Sequence, residues 1–217
     1  MGEATKLRDM SAFASLSFQE ALAASLKDGL LCADADQPQG GQSVRALSVA
    51  CIDTPLDTMV AVADHRSLHV LEFFDRRIFA AQLEVVAAAT GLRFCVEENA
   101  VIMGLRAELE AYFCGECSQF QTPLALHGTA FVQSVWQALL EVPAGETRSY
   151  GALSRDLNNP NAVRAVAQAN GANRLAVVVP CHRIIGADGA LTGYGGGLWR
   201  KRWLLDHEAR HFANLLL

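Results

Sequence analysis

A cysteine and a histidine stand side by side in the stretch PCHR, residues 180–183. A cysteine thiolate is a strong nucleophile, and its population rises next to positive charge or a base. Neighbours on an extended segment point to opposite sides, so His182 need not touch Cys181 and can act through a water molecule. A carboxylate elsewhere, Glu208 or Asp206, would hold the imidazole in one tautomer. The alternative is an inert core cysteine at a strand end.

The elements around this pair are predicted to be short helices. Thr129 is a suitable cap for AFVQSVWQALLEV, whose apolar residues recur at helical spacing. Ser149 can cap SYGALSRDL, and Pro160 suits the first position of a helix NAVRAVAQAN that ends at Gly171. Two short helices joined by a tight turn predict a helix-turn-helix. Arg164, one turn into the second helix, would then lie near a DNA duplex.

The segments on either side of Cys181 are predicted from their apolar and turn residues. LAVVV, residues 175–179, reads as a buried strand that leads into the cysteine. Asp188-Gly189 marks a turn, and TGYGGG is a loop of close approach. LWRKRWLLDHEARHFANLL closes the chain as a helix, and the tryptophans of the helices are expected in the core.

The N-terminal half reads as strands followed by helices. ALSVACI, TMVAVAD and LHVLEFF predict a three-strand antiparallel meander. RRIFAAQLEVVAAA predicts a helix that stops at Thr90-Gly91, LRFCVE a further short strand, and VIMGLRAELEAYF a second helix. Residues 1–43 form an arm in which SFQEALAASLKDGLL favours a short helix and the following residues have linker composition.

Charge and composition narrow the class of protein. The 217 residues carry a net charge of −5, yet residues 131–210 hold nine Lys/Arg against six Asp/Glu. This split is compatible with a DNA-facing C-terminal domain on an acidic scaffold. The sequence contains neither an apolar run long enough to span a membrane nor a signal-peptide core, so we expect a cytoplasmic protein. In that compartment the six cysteines are expected to be thiols.

A family resemblance covers residues 128–208 almost continuously. VVVPCHRIIGADGALTGYGGG resembles the active-site signature of the O6-alkylguanine-DNA alkyltransferases, among them the C-terminal module of the Ada adaptive-response protein. FVQSVWQALLEVPAGETRSYGALS, NPNAVRAVAQANGAN and LWRKRWLLDHE resemble the family's first helices, recognition helix with asparagine hinge, and final helix. The resemblance implies an α/β (α+β) fold with a ribonuclease-H-like N-terminal sheet domain and a C-terminal winged helix-turn-helix-like domain. The expected boundaries are an arm at 1–43 and domains at 44–127 and 128–217.

The resemblance also implies a single-use reaction. Cys181 would accept the alkyl group from O6-alkylguanine, and less efficiently from O4-alkylthymine, in double-stranded DNA after the damaged base has been flipped. His182 resembles the water-linked base for the thiol and Glu208 the carboxylate that orients it. Tyr150 resembles the proton donor to the leaving guanine, and Asn173 the hinge asparagine. No cofactor or metal is implied, and the protein would act as a nucleoid-associated monomer.

Further residues are implied in DNA binding and in the base pocket. Arg164 resembles the arginine that enters the base stack from the minor-groove side. The remaining implied DNA contacts are Ala162, Ala165, Ser149 and Arg174. The implied pocket residues are Pro180, Tyr194, Gly195, Gly196 and Lys201, of which Lys201 would stabilise the active-site loop.

Two departures from the family pattern generate expectations of their own. Arg174 stands where the family often has proline, which would loosen the hinge and add a phosphate contact. Gly195 opens a run of three glycines where many members have a bulkier residue. This run predicts a mobile pocket wall and comparable reaction with methyl and benzyl lesions.

Three alternatives stay open from the residues alone. A damage-binding module without repair activity would lack the nucleophile, so Cys181 argues against it. A cysteine hydrolase using Cys181 and His182 would turn over and would not need a helix-turn-helix. Residues 1–43 could be the remnant of a fused regulator, although they show no DNA-binding helix pair.

Cys114 and Cys117 form a lone CxxC, which we interpret as two ordinary thiols rather than a zinc site.

Overall fold

The computed structural model describes residues 46–213, together with residues 20, 22 and 30–32. The strands are β1 (Ala46–Thr54), β2 (Asp57–Ala63), β3 (Leu68–Phe73), β4 (Arg93–Val96), β5 (Arg148–Ser149) and β6 (Ile184–Ile185). The α-helices are α1 (Phe79–Thr90), α2 (Ala100–Phe113), α3 (Ala130–Leu140), α4 (Tyr150–Asp156), α5 (Val163–Gly171) and α6 (Leu198–His211). A turn of 3-10 helix spans Cys181–Arg183. Apart from the five isolated positions, the arm of residues 1–43 and its predicted helix lie outside the described residues.

The N-terminal sheet has the strand order β3-β2-β1-β4. The predicted meander is confirmed, since β2 pairs antiparallel with both β1 and β3. The predicted fourth strand is also present and adds parallel to β1. Helix α1 ends at Gly91, whose φ of 69° is the left-handed conformation that glycine adopts without steric cost.

Each face of this sheet buries a separate apolar cluster. One cluster joins the sheet to α1, and the larger one joins the opposite face to α2 and to the C-terminal helices. Trp136 lies fully buried in the larger cluster, and its Nε1 donates to the Ala169 carbonyl at 2.8 Å. Trp199 was expected in the core but is 54 % exposed at the start of α6, where it borders an open groove.

The predicted helix-turn-helix is confirmed as the pair α4 and α5. Ser149 Oγ accepts from the Ala152 amide at 3.1 Å and so caps α4. The second helix begins at Val163 and not at Pro160, because residues 159–162 form a turn closed by the Ala162 amide on Asn159 O. Gly171 is its last helical residue rather than its cap.

The strand predicted for LAVVV is wrong. Leu175 makes one parallel bridge to Leu71 on β3, and the chain then turns. The Val178 amide donates to Ala176 O at 2.9 Å, and Val177 has a φ of 71°. A β-branched residue in this conformation costs on the order of 1–3 kcal/mol, so the surrounding packing has to impose it. The apolar run is buried by the larger cluster and not by a strand ladder.

The expectation that all six cysteines are thiols is wrong for one pair. Cys32 is bonded to Cys95 on β4 in a disulfide with a Cα–Cα distance of 5.2 Å. The pairing arises because the Cys32 amide donates to Phe94 O, which lays this part of the arm along β4. The other four cysteines are free thiols. No helix within the described residues is long and apolar enough to cross a membrane.

Candidate active site

Cys181 lies at the start of the 3-10 turn and is 7 % exposed. The Asn173 side chain fixes it. Asn173 Nδ2 donates to Cys181 Sγ at 3.1 Å and to Val179 O at 2.8 Å, while Asn173 Oδ1 accepts from the Leu175 amide at 3.0 Å. One amide group thus holds both ends of the turn that precedes the cysteine and contacts the sulfur itself.

The edge of the N-terminal sheet supports the same turn. The Leu71 amide donates to Arg174 O, and the Ala176 amide donates to Leu71 O, both at 2.8 Å. On the other side, β5 pairs with β6, which brings the start of α4 next to the end of the 3-10 turn. The N-terminal sheet and the C-terminal helices therefore both position the cysteine.

His182 and Glu208 form a buried pair behind the cysteine. His182 Nε2 lies 2.8 Å from Glu208 Oε1, and both residues have no exposed surface. A carboxylate partner on Nε2 sets the tautomer with the proton there and leaves Nδ1 as an acceptor. His182 Nδ1 is buried and has no hydrogen-bond partner among the described residues. Asp206, the other candidate carboxylate, is exposed on α6 and lies outside the site.

The Glu208 carboxylate accepts hydrogen bonds from three parts of the chain: the 3-10 turn, α2 and the loop after α3. Arg183 Nη2 donates to Oε1 at 2.9 Å and Arg183 Nε to Oε2 at 3.0 Å. The Tyr112 hydroxyl donates to Oε1 at 2.7 Å, and the Gly145 amide to Oε2 at 3.3 Å. Together with His182, these donors satisfy both oxygens of a carboxylate that has no contact with water.

Burial and charge set the protonation states. Burial would raise the pKa of Glu208, but the hydrogen bonds and charges of His182 and Arg183 outweigh it and hold the pKa well below the usual range. Burial lowers the pKa of His182 despite the carboxylate, so the imidazole is neutral at pH 7. Burial raises the pKa of Cys181, and the Asn173 hydrogen bond offsets part of this. The resting site therefore holds a thiol and a neutral imidazole.

Two tyrosines belong to the opposite wall. The Tyr150 hydroxyl lies 3.5 Å from Gly193 O, and Gly193 lines the small cavity at Cys181. Burial and the charge of a nearby Cys181 thiolate both raise the pKa of Tyr150, so it is a protonated phenol. The Tyr194 hydroxyl is buried without a hydrogen-bond partner among the described residues, and burial raises its pKa well above 10.

The loop that carries Tyr194 is held from α6. Lys201 has no exposed surface, and its Nζ donates to Thr192 O at 2.6 Å and to Ile184 O. Burial lowers the pKa of Lys201 to about 8. Pro180 is buried but does not line the cavity at Cys181; it borders a groove on the other side of the 3-10 turn.

The glycine run is packed, contrary to the mobile wall expected from its sequence. A Cβ built on Gly195 would lie 2.3 Å from the Arg76 guanidinium carbon. A Cβ on Gly196 would lie 2.7 Å from the Phe73 ring. Phe73 lies at the end of β3 and Arg76 in the segment after it. These two side chains fill the space that larger residues at positions 195 and 196 would occupy.

The implied DNA-contact residues separate into two groups. Arg164 and Ala165 are exposed on the first turn of α5, with Ala162 and Ser149 half-buried beside them. Arg174 points elsewhere: its Nη1 donates to His127 O, and its guanidinium lies 5.6 Å from the Trp136 ring. This half-buried arginine ties the hinge to the scaffold, so the structure supports neither a loosened hinge nor a phosphate contact by Arg174.

The described residues contain no group of three His, Cys, Asp or Glu side chains that could hold a metal ion. Cys114 is exposed and Cys117 half-buried, and both are free thiols.

Comparison with known proteins places the chain in a family. Residues 130–210 match the model of the 6-O-methylguanine DNA methyltransferase DNA-binding domain. A methylated-DNA–protein-cysteine methyltransferase of Methanosarcina acetivorans is 40% identical over 159 residues, which are 73% of this chain and 96% of that protein. The chain belongs to the methylated-DNA–protein-cysteine methyltransferase family.

Two mycobacterial comparisons agree. The family member of Mycobacterium tuberculosis (strain ATCC 25618 / H37Rv) is 57% identical over 111 residues, 51% of this chain and 67% of that protein. A crystal structure of Mycobacterium tuberculosis OGT in complex with DNA superimposes with a TM-score of 0.67 at 40% identity, covering 76% of this chain and 94% of that one. The α+β fold expected from the sequence is thereby confirmed.

The structure adds two site residues to those predicted from the sequence of this methyltransferase. Arg183 and Tyr112 share Glu208 with His182. Arg183 had a signal, since it adjoins Cys181-His182 in the PCHR motif. Tyr112 had none, because it stands in an ordinary apolar helix pattern about one hundred residues away from its partner.

We expect Glu208→Gln to lower the free energy of unfolding by about 3–5 kcal/mol, because it leaves the Arg183 guanidinium buried without a counter-charge. Urea denaturation of purified protein measures this. The matched control is Glu146→Gln, an exposed carboxylate in the loop after α3, which should leave the midpoint unchanged. Equal midpoints for the two variants would show that the carboxylate charge contributes nothing to the network.

Proposed function

We propose that this methyltransferase repairs alkylated DNA by transferring the alkyl group of O6-alkylguanine, and less efficiently of O4-alkylthymine, to Cys181. The observation that carries the proposal is the contact of Asn173 Nδ2 with Cys181 Sγ beside the buried His182–Glu208 pair. A structural cysteine would need neither an amide donor on its sulfur nor a charged pair behind it.

Activation of the thiol begins with a proton transfer. His182 Nδ1 accepts the Cys181 proton through one water molecule, since the imidazole is neutral and this nitrogen is free of other hydrogen bonds to described residues. Glu208 stabilises the resulting imidazolium, and Asn173 Nδ2 stabilises the thiolate. The Glu208 carboxylate thus lowers the free energy of the thiolate–imidazolium pair in this buried site.

The transfer itself is a displacement at carbon. The thiolate sulfur forms a bond to the alkyl carbon while the bond from that carbon to guanine O6 breaks, and the electron pair stays on the guanine. The Tyr150 phenol donates a proton to the leaving base. The tyrosinate then regains a proton that comes from the His182 imidazolium. A thioether and normal guanine remain, and each molecule reacts once because no group in the site can cleave the thioether.

Access to the lesion requires the base to leave the duplex. The exposed first turn of α5 presents Arg164 to the minor groove, with Ala162, Ala165 and Ser149 close to the backbone. Flipping costs roughly a few kcal/mol, and an arginine that occupies the gap offsets part of this cost. The small residues next to Arg164 allow α5 to approach DNA of any base sequence closely.

The proposal includes a division of the chain at residues 44–127 and 128–217. The C-terminal part would bind DNA and accept the alkyl group, whereas the N-terminal sheet would support the turn before Cys181. A monomeric protein in the cytoplasm, associated with the nucleoid, is consistent with a DNA substrate.

The direct test mixes sub-stoichiometric protein with a duplex that contains one O6-methylguanine. We expect intact-protein and peptide mass spectrometry to show a gain of one methyl group on the Cys181 peptide, with repair stopping at one equivalent. Cys181→Ala should show no gain, while Cys114→Ala, which removes an exposed free thiol, should react normally. Repair beyond one equivalent would indicate a turnover enzyme, and binding without a mass change would indicate a damage sensor.

The proton relay predicts a specific pH profile for the single-turnover rate. Burial raises the pKa of Cys181 and lowers that of His182. At every pH between these two pKa values the pair therefore holds the same number of protons. The rate should be level across neutral pH and should fall under more acidic conditions, where His182 gains a proton. In His182→Gln the thiol ionises to bulk water, so the rate should rise about tenfold per pH unit. A sloping wild-type profile would contradict the relay.

Arg164→Ala should slow repair of O6-methylguanine in duplex DNA by about 10–30-fold, equivalent to about 1–2 kcal/mol of lost stabilisation of the flipped state. The same variant should react normally with free O6-methylguanine base, which needs no flipping. Arg66→Ala removes an exposed arginine on the β2–β3 connection and should change neither rate. Equal losses on both substrates would place Arg164 in the chemistry and not in DNA binding.

A further inference from the structure

Two spaces meet at the active site, and one side chain separates them. The cavity at Cys181 is small and has about the room that one water molecule needs. An open groove of about 440 Å³ lies beyond it, between Ile78 and Trp199. Arg76, Gly195 and Gly196 line both spaces, and Arg76 is the only one of the three with a side chain, so its guanidinium is the partition between them.

Arg76 is held firmly in this position. Its Nη2 donates to Gly171 O at 2.7 Å and its Nη1 to Asn173 O at 3.0 Å, so it spans the end of α5 and the hinge. Nη1 also pairs with the Glu72 carboxylate, whose side chain is 1 % exposed. Only 10 % of the Arg76 side chain is exposed. Three acceptors therefore fix a guanidinium that comes from the N-terminal domain.

The close approach of Arg76 depends on the absence of a side chain at Gly195. A Cβ there would lie 2.3 Å from both Arg76 Cζ and Nη2, far inside contact distance. Gly195 has no positive φ, so its backbone accepts alanine, and the three atoms nearest to the added methyl group would all belong to the Arg76 guanidinium. The arginine thus takes the volume that a larger residue 195 would fill.

We propose that Arg76 is a specificity-determining residue that limits the size of the O6 substituent transferred to Cys181. The proposal rests on the proposed function and leaves its chemistry unchanged. With Arg76 in place, the space beside the sulfur suits a methyl group. When Arg76 is absent or displaced, the cavity joins the outer groove, where Ile78 is 43 % and Trp199 54 % exposed. These apolar side chains offer a surface for a benzyl group, so selectivity for methyl replaces the equal reactivity expected from the glycine run.

The test compares single-turnover rates for O6-benzylguanine and O6-methylguanine in the same duplex. We expect Arg76→Ala to raise the benzyl-to-methyl rate ratio at least about tenfold, the usual scale for a change of pocket size. The ratio is the right quantity because Arg76 also lowers the pKa of Cys181. The same thiolate attacks both lesions, so a change in its ionisation cancels.

Three further variants keep the test decisive. Arg77→Ala removes the exposed neighbour that does not border the inner cavity and should leave the ratio unchanged. Arg76→Ala strands the buried Glu72 charge, so the double variant Glu72→Gln/Arg76→Ala repeats the measurement in a protein without that charge. Gly195→Ala should raise the ratio in the wild-type background by displacing Arg76, and should add little to Arg76→Ala.

The outcomes separate this inference from the function on which it rests. An unchanged ratio in both Arg76 variants, with methyl transfer to Cys181 intact, would overturn the role of Arg76 alone. Absence of transfer from either lesion in the wild-type protein would overturn the proposed function and this inference together. A raised ratio in both Arg76 variants, with Arg77→Ala unchanged, supports it.

Discussion

The buried charge of Glu208 is the constraint around which the active site is built. An ionised carboxylate without water costs several kcal/mol unless donors surround it. Here the donors are a guanidinium, an imidazole, a phenol and a backbone amide, contributed by Arg183, His182, Tyr112 and Gly145. These residues lie on the 3-10 turn, on α2 and in the loop after α3, so satisfying one charge on α6 fixes the relative positions of four chain segments.

The geometry of the nucleophile follows from that network. Arg183 and His182 both face Glu208, which forces residues 181–183 into a tight turn and presents Cys181 toward Asn173 on the other side. The chain reaches this turn within a few residues of the bridge at Leu175. To do so, Val177 adopts a strained left-handed backbone conformation. Strain of this kind persists only where surrounding packing overdetermines it, as the buried cluster around Val177 does here.

The sequence predicted the elements whose apolar spacing and capping residues agree. The ends of α1, α3 and α4 follow from local signals at Gly91, Thr129 and Ser149. The meander follows from its short apolar segments. The prediction failed at LAVVV, where five apolar residues favour a strand. This segment makes only one bridge to β3, between Leu175 and Leu71. The prediction also misplaced the start of α5, because Pro160 serves a turn as readily as a first helical position. In both places tertiary contacts decided between local conformations of similar energy.

The parts of the site that could not be predicted are those that join distant residues. Nothing near Glu72 or Arg76 marks them as neighbours of Cys181, since the match to the family motifs is continuous only in the C-terminal half. Yet Arg76 caps the two carbonyls that end α5 and begin the hinge, and Leu71 pairs with the residues on either side of Leu175. The N-terminal sheet and the segment after it therefore contact the hinge, the loop and the cavity. Changes there can reshape the acceptor pocket while the PCHR motif and its charge network stay as they are.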